Sequence, residues 1–347
     1  MGRLLAYSGL TTKIRAMESR LITDNGFRMI SEMKDIPSLA AYLKHQPAYE
    51  KLLAEMDENQ LHRGQLEQLL RYSIYDGFTK IYRFANDEQR RFLNLYFKRY
   101  EVSALKRCFR MVYSNQPPEV DLRVFEPFFE KHSDLNVVKI SSSHTLEELV
   151  SNLAGSGYYP ALSAMQQSKK NPTLFDLEMA LDLYYFAYIW KVKDKILTNG
   201  DLKSITRAYG SKFDMINLNW IARSRQFYHM SDADVYAMLI PLHYKISQAE
   251  IRSLVEANSM DEFSARLAGT YYARKYSMLN TETLEDMYVY VLKHVLMREA
   301  QNHPYSVAII YAYLYEKEHE VDRLITAMEC IRYQLSPGEI YRYIVKY

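Results

Sequence analysis

EVDRLITAMECIRYQLSPGEI, residues 320 to 340, decides how the chain reads, because two cruder copies of it occur earlier. An acidic residue, an apolar one and a second apolar one three further on open each copy: Glu101, Val102 and Leu105; Asp214, Met215 and Leu218; Glu320, Val321 and Leu324. The stripe continues through Phe109 and Val112 in the first copy and through Met328 and Ile331 in the last. Steps of three and four residues put one side of an α-helix into a core. The middle copy carries on to Ala222 and breaks at Arg225. SNQPPEV (114–120), MSDADV (230–235) and LSPGEI (335–340) follow at the same place in each copy. Ser231 with Asp234, and Ser336 with Glu339, have the spacing of capping boxes, and Pro337 stands at a first helical position. A further helix is expected to begin at each.

Two independent landmarks repeat in the same order. DIPSLAAYLKHQPAY (35–49), TLEELVSNLAGSGYY (145–159) and SMDEFSARLAGTYY (259–272) each open on a good N-cap, Asp35, Thr145 or Ser259. Leu66-Glu67, Leu177-Glu178 and Leu284-Glu285 then open three longer amphipathic stretches. The copies are about 110 residues apart, and three landmarks in constant order mark an internal repeat. The expected division is an N-terminal helix (1–29), a first helical repeat with a connector (30–138), a second repeat (139–246) and a third (247–347). A helix is expected over 7–22, ended by Asp24-Asn25-Gly26. The stretch 171–194, apolar nearly all round its centre, is either the most enclosed helix or one that lends a face to a partner. NVVKI (136–140) is the best strand candidate, short and alone, so the fold class is all-α.

The chain has 347 residues, 48% of them hydrophobic, which is ample for packed cores. With 44 Lys and Arg against 42 Asp and Glu, the net charge of +2 provides no global field for nucleic acid or an acidic membrane. Cys108 and Cys330 resemble neither a metal-ligand cluster nor a redox pair and read as reduced core thiols. No apolar run approaches the roughly 18 residues of a membrane helix, VAIIYAYLY (307–315) being the longest. The opening MGRLLAYSGL lacks the layout of a signal peptide, and Ala6 departs from the myristoylation pattern, so a cytoplasmic location is expected.

Catalytic constellations are missing from the sequence. Gly155 and Gly157 make a G-x-G, but Pro160 occupies the third glycine position and no strand-helix-strand pattern surrounds it. There is no Walker A sequence and no H-E-x-x-H. His319, inside EKEHE (316–320), reads as part of a solvated charged face. Lys98, Arg99, Lys106, Arg107 and Arg110 crowd one helix; a solvated face is the default reading and an acidic partner surface the alternative. The 31 tyrosines against two tryptophans are expected to bury rings and leave hydroxyls at the surface. No cofactor and no metal site is read.

Several stretches resemble one family, the C subunits of the rotary V-type and A-type ATPases, whose eukaryotic relative is the d subunit. YSGLTTKIRAMESRLI (7–22) is similar to that family's opening helix through Tyr7, Arg15, Met17, Ser19, Arg20 and Leu21. ALDLYYF (180–186) and DMINLNWIAR (214–223) resemble its middle repeat through Asp182, Tyr184, Tyr185, Asp214, Asn217 and Arg223. NHPYSVAIIYAYLYEKEHEVDRL (302–324) resembles its last through Pro304, Tyr305, Ser306 and Glu320. Relatives tend to carry asparagine, leucine and arginine after the third acidic landmark and a glycine-lysine pair later; here stand Arg323, Leu324 and Ile325, then Cys330 and Ile331.

The resemblance implies three similar helical-bundle subdomains around a pseudo-threefold axis, forming a funnel. It implies a non-catalytic socket joining the soluble central stalk, made of the D and F subunits, to the membrane rotor ring of proteolipid subunits. Such a socket sits peripherally at the cytoplasmic face and transmits torque for proton or sodium transport coupled to ATP hydrolysis or synthesis. The alternative is a helical-repeat scaffold of another multi-subunit assembly. A coiled stalk lacks threefold symmetry, so its contacts are sought where the copies differ. Nine residues beyond the acidic landmarks stand Arg110, Arg223 and Glu329; three beyond stand Ala104, Asn217 and Arg323. Arg110, Arg223, Asn217, Arg323 and Glu329 are thus the expected stalk interface, with solvated flanks or helix-to-helix salt bridges as the alternative for each.

Overall fold

The structure, a computed structural model, describes residues 2–114, 122–169, 172–276 and 283–345. Helix accounts for 78% of it, and no strand occurs among the described residues. In chain order the helices are α1 (Gly2–Glu18), α2 (Asp24–Ser31), α3 (Ile36–Lys44), α4 (Glu50–Leu53), α5 (Arg63–Phe84) and α6 (Asp87–Ser114). A 3-10 turn (Leu122–Phe125) leads into α7 (Glu126–His132), α8 (Val137–Ser141), α9 (Leu146–Asn152), α10 (Tyr159–Ser168) and α11 (Leu174–Ile196). Then come α12 (Asn199–Arg223), a π-helical turn (Ser224–Tyr228), α13 (Asp232–Met238), α14 (Gln248–Val255), α15 (Met260–Ala268) and α16 (Tyr271–Tyr276). The chain closes with α17 (Leu284–Asn302), α18 (Val307–Arg332) and α19 (Pro337–Ile344).

These elements form two compact units, Met1–Asp182 with Tyr305–Lys346, and Leu183–Pro304. In the first unit, α18 packs against α5, α1 and α3, and α19 against α18 and α2. The stripe Val321, Leu324, Met328 and Ile331 is buried as its spacing predicts, and so are all of residues 307–315, which makes the front half of α18 the most enclosed helix. α11 instead keeps Tyr184, Tyr188 and Trp190 half-buried and Phe175 exposed. In the second unit, Met215, Leu218, Ile221 and Ala222 of α12 share a core with Ile251, Leu254, Phe263, Leu267, Met287 and Val291. The break at Arg225 falls in the π-helical turn, which ends on His229 in the left-handed region.

The three expected N-caps are in place: Asp35 accepts from Ser38 N–H at 2.8 Å, Thr145 from Glu148 N–H at 3.1 Å and Ser259 from Glu262 N–H at 3.1 Å. Ser336 and Glu339 make the full reciprocal box at the start of α19. Ser231 caps α13 by accepting from Asp234 N–H at 3.2 Å. The corresponding stretch of the first copy, SNQPPEV, lies almost wholly outside the described residues.

Two local expectations are corrected. NVVKI is not a strand: the Asn136 side chain accepts from Lys139 N–H at 2.8 Å, and this N-cap turns the β-branched run into α8. Asp24-Asn25-Gly26 does not end a helix but begins one, because Thr23 accepts from Gly26 N–H at 3.2 Å. Gly26 is needed for close approach, since a Cβ there would stand 2.7 Å from the Tyr42 hydroxyl and from Ile22.

One histidine makes part of the first unit sensitive to pH. His132 lies against the rings of Tyr82, Phe78, Phe128 and Phe97 at 4.5 to 5.5 Å, and neither ring nitrogen has a hydrogen-bond partner. Burial, helped by neighbouring Lys131, lowers its pKa to about 4. The unfolded chain, with an ordinary histidine near 6.5, therefore takes up the proton first. The stabilisation associated with neutral His132 is fully present above about pH 6.5 and is lost progressively as pH falls toward 4. His132→Phe should flatten that part of the pH profile. Equal loss of melting temperature between pH 7 and pH 5 in both proteins would show that this histidine does not set it.

Candidate functional site: three buried carboxylate knots

All three acidic landmarks lie in the middle of long helices and are buried: Glu101 on α6 is 0% exposed, Asp214 on α12 1% and Glu320 on α18 4%. A carboxylate so placed costs several kcal/mol unless its oxygens are filled. Each is filled in the same way. Glu101 accepts from Tyr158 Oη at 2.7 Å, Asp214 from Tyr272 Oη at 2.9 Å and Glu320 from Tyr49 Oη at 2.6 Å. The tyrosines stand 13 or 14 residues beyond Thr145, Ser259 and Asp35, at the end of each capped-helix segment. The carboxylate of one copy is therefore met by the tyrosine of the next, and the third copy by the tyrosine of the first.

The second oxygen is occupied from the segment ahead of the short helix, α2, α8 or α14, that precedes each capped helix. Glu320 accepts from Ile22 N–H at 2.5 Å, Asp214 from Lys245 and Tyr244 N–H at 2.7 and 3.1 Å, and Glu101 from Ser133 Oγ at 2.5 Å. Three residues upstream on the same helix face, Lys98 and Lys317 each reach their carboxylate at 2.8 Å, while Ser211 holds that position before Asp214. Burial raises the Asp214 carboxyl above its usual range, against the pull of the Lys245 and Tyr244 N–H groups. Burial lowers the Lys317 pKa, and Glu320 opposes this. The Tyr49 and Tyr272 hydroxyls are pushed far up by burial and by the carboxylates they face, so they remain donors. With every carboxylate oxygen accepting, the knots hold segments together and offer no free base to a substrate.

A second recurring bridge uses residues selected from sequence. Arg110 donates from Nε and Nη2 to Glu178 at 2.6 and 3.0 Å, and Arg223 from Nη1 to Glu285 at 3.3 Å. Here again one copy's acidic helix meets the Leu-Glu glutamate of the next. In the third instance both positions are acidic, Glu329 and Glu67. Arg63 bridges them, binding Glu67 at 3.2 Å and contacting Glu329. Arg110 and Arg223 are half or more exposed as side chains. Asn217 and Arg323 are placed differently. Asn217 is buried and exchanges two hydrogen bonds with the Ile240 backbone, at 2.9 and 3.0 Å. Arg323 lies 3.5 Å over the Phe27 ring, donates to the Ile344 carbonyl and has Asp24 at 3.8 Å. Ala104, the first-copy counterpart of these two, is buried.

Sequence reasoning marked Glu101, Asp214 and Glu320 but not the tyrosines, although all three tyrosines stood inside the aligned stretches. The available signal was an acid recurring at the edge of an apolar stripe together with a tyrosine at fixed distance from a cap. Among the described residues no group of three or more His, Cys, Asp or Glu is arranged to hold a metal ion, and no helix is long and apolar enough to cross a membrane.

Comparison with known proteins gives a consistent picture. The family model described as ATP synthase (C/AC39) subunit matches residues 10–343. The chain is similar to the C subunit of the A-type ATP synthase of Pyrococcus abyssi, 22% identical over 96% of this chain and 89% of that protein. It is likewise similar to the A-type C subunit of Methanocaldococcus jannaschii, 22% identical over 97% and 86% of the two chains. The Pyrococcus horikoshii protein of the same name is 24% identical over 96% and 89%.

Proposed function

The chain belongs to the ATP synthase (C/AC39) subunit family, and from that membership we propose that it is the non-catalytic central-stalk component of a rotary V/A-type ATPase. It links the soluble stalk, made of the D and F subunits, to the membrane rotor ring of proteolipid subunits. It sits at the cytoplasmic face and carries torque for proton or sodium transport coupled to ATP hydrolysis or synthesis. Its three helical repeats, 30–138, 139–246 and 247–347, surround a pseudo-threefold axis as a funnel.

The observation that carries this reading is the thrice-repeated knot in which the last copy binds the first through Glu320 and Tyr49 at 2.6 Å. Torque loads a protein held between two partners, and packed helices with filled buried carboxylates yield little under load. Tying the last copy to the first lets the load pass through packing rather than along the backbone alone. The bridging residues also bear on the grip. Arg110 and Arg223 combine exposure with a fixed guanidinium, the condition for meeting an acidic stalk surface without further ordering cost.

The test is made in the isolated complex. Cross-linking should join this chain to the D and F subunits and to the ring. Arg110→Glu with Arg223→Glu should weaken stalk attachment and leave ATP hydrolysis that no longer drives ion pumping, more so at raised salt. Adding Glu178→Arg and Glu285→Arg restores both internal bridges while keeping the reversed charges. If pumping then returns, the two arginines serve the fold and not the stalk. Absence of any cross-link to stalk or ring overturns the larger reading.

A further inference from the structure

The second unit contains a cleft of about 480 Å3 between α12, α16, α17 and the segment around residue 244. Four permanent cations line it, Arg207, Lys245, Lys275 and Arg298, against a single acid, Glu299. That acid is already engaged, by Arg207 at 2.8 Å and by Ser204 Oγ at 2.7 Å. Among the described residues no carboxylate lies within ion-pair reach of Lys245, Lys275 or Arg298.

The fold holds these cations at the cleft. Asp214 fixes Lys245 and Tyr244 through their N–H groups and fixes α16 through Tyr272. Lys275, one turn further along α16, donates to the Tyr271 hydroxyl at 2.8 Å. Both lysines stand over the Tyr271 ring, at 5.5 and 5.1 Å. Gly210 lets the Tyr244 ring lie against α12, since a Cβ there would fall 2.4 Å from it.

The knot itself does not require the charge. At the other two knots the counterparts of Lys245 are Ile22 and Ser133, those of Lys275 are Leu52 and Ala161, and those of Arg207 are Tyr313 and Asn94. Cations that, Arg207 apart, have no carboxylate partner among the described residues have collected at one of three equivalent places, around a cleft of ligand size. A lone carboxylate would leave most of that charge unanswered, whereas a diphosphate supplies several negative charges and many acceptors in a compact volume. The tyrosine faces of the wall suit a flat ring attached to it.

We propose that this cleft binds a phosphate-bearing anion of up to nucleotide size, with Lys245, Lys275 and Arg298 on the phosphates. The proposal does not depend on the stalk assignment.

The experiment is calorimetric titration of the full chain with pyrophosphate and with ADP, beside flotation with phosphatidylcholine vesicles containing phosphatidic acid. One-site binding of a soluble probe is expected, weakened by salt. Lys245→Ala with Lys275→Ala should reduce it by roughly 100-fold, about tenfold for each charge-assisted contact. Lys80→Ala, on a helix of the other unit, should leave it unchanged. Melting curves should show that the double variant folds; should it not, Arg298→Gln replaces it. Flotation without soluble binding, lost with the same substitutions, assigns the phosphate to a lipid headgroup. No binding by any arm, or binding indifferent to these lysines, overturns the proposal.

Discussion

Replacing Glu320 with alanine is expected to destabilise the first unit by about 4 kcal/mol, the range found when one member of a buried ion pair is removed. The substitution takes the counter-ion from Lys317 Nζ, which keeps only the Tyr49 hydroxyl at 2.8 Å, and takes the acceptor from the Tyr49 hydroxyl and from the Ile22 N–H. Lys317 is itself buried, so its charge cannot simply turn to water. Against a usual stability of about 5–15 kcal/mol this is a large fraction, and the melting temperature should fall by roughly 10 °C. Tyr49→Phe, which removes one hydroxyl and leaves the ion pair, should cost only about 1–2 kcal/mol. The diagnostic variant is Glu320→Ala with Lys317→Met. If the loss comes from stranding a buried cation, filling the site with an apolar chain recovers most of it. A single variant that melts like the unaltered chain, or a double variant no better than the single, would remove the knot from the account of stability.

The knots also show where sequence reasoning stops. The buried stripes were legible because a core imposes a 3.6-residue period on any helix that lines it, and Val321, Leu324, Met328 and Ile331 lie where that period puts them. The caps at Asp35, Thr145 and Ser259 were legible because a cap is a contact over three residues. The partner of Glu320 was not. Tyr49 is 271 residues away, and nothing in the local pattern says that a carboxylate pairs with the next copy's tyrosine instead of its own. NVVKI misled for the opposite reason: β-propensity expresses packing on a sheet, no sheet is present there, and one Asn136 cap decides the conformation. Arg110 and Arg223 were chosen as polar positions beside a stripe. Their carboxylates, Glu178 and Glu285, belong to the Leu-Glu landmarks already noted, yet the pairing needed three dimensions.

Deleting residues 305–347 should unfold the first unit and spare the second. The segment removed contains α18 and α19, hence the Glu320 knot, the nine buried residues 307–315 and the stripe that packs on α5. Fully burying a Val, Leu, Ile or Met side chain contributes about 1.5–3 kcal/mol, so the four stripe residues alone carry roughly as much as a domain's whole stability. What remains of the first unit keeps Glu101 with Tyr158 but has no helix to cover the inner faces of α1, α3 and α5. The second unit loses nothing of its own. Asp214 and Tyr272 both lie within it, as do all the core residues shared by α12, α14, α15 and α17. Amide exchange reads the two outcomes separately. Backbone amides of α3 and α5 should exchange as in an unfolded chain, while those of α12 and α17 keep their protection and a single cooperative melt persists. Protection retained in α5 would mean that α18 is not what its core rests on. Loss of protection in α12 and α17 as well would mean that the second unit depends on the first for its stability, and that its own knot is too weak to hold it.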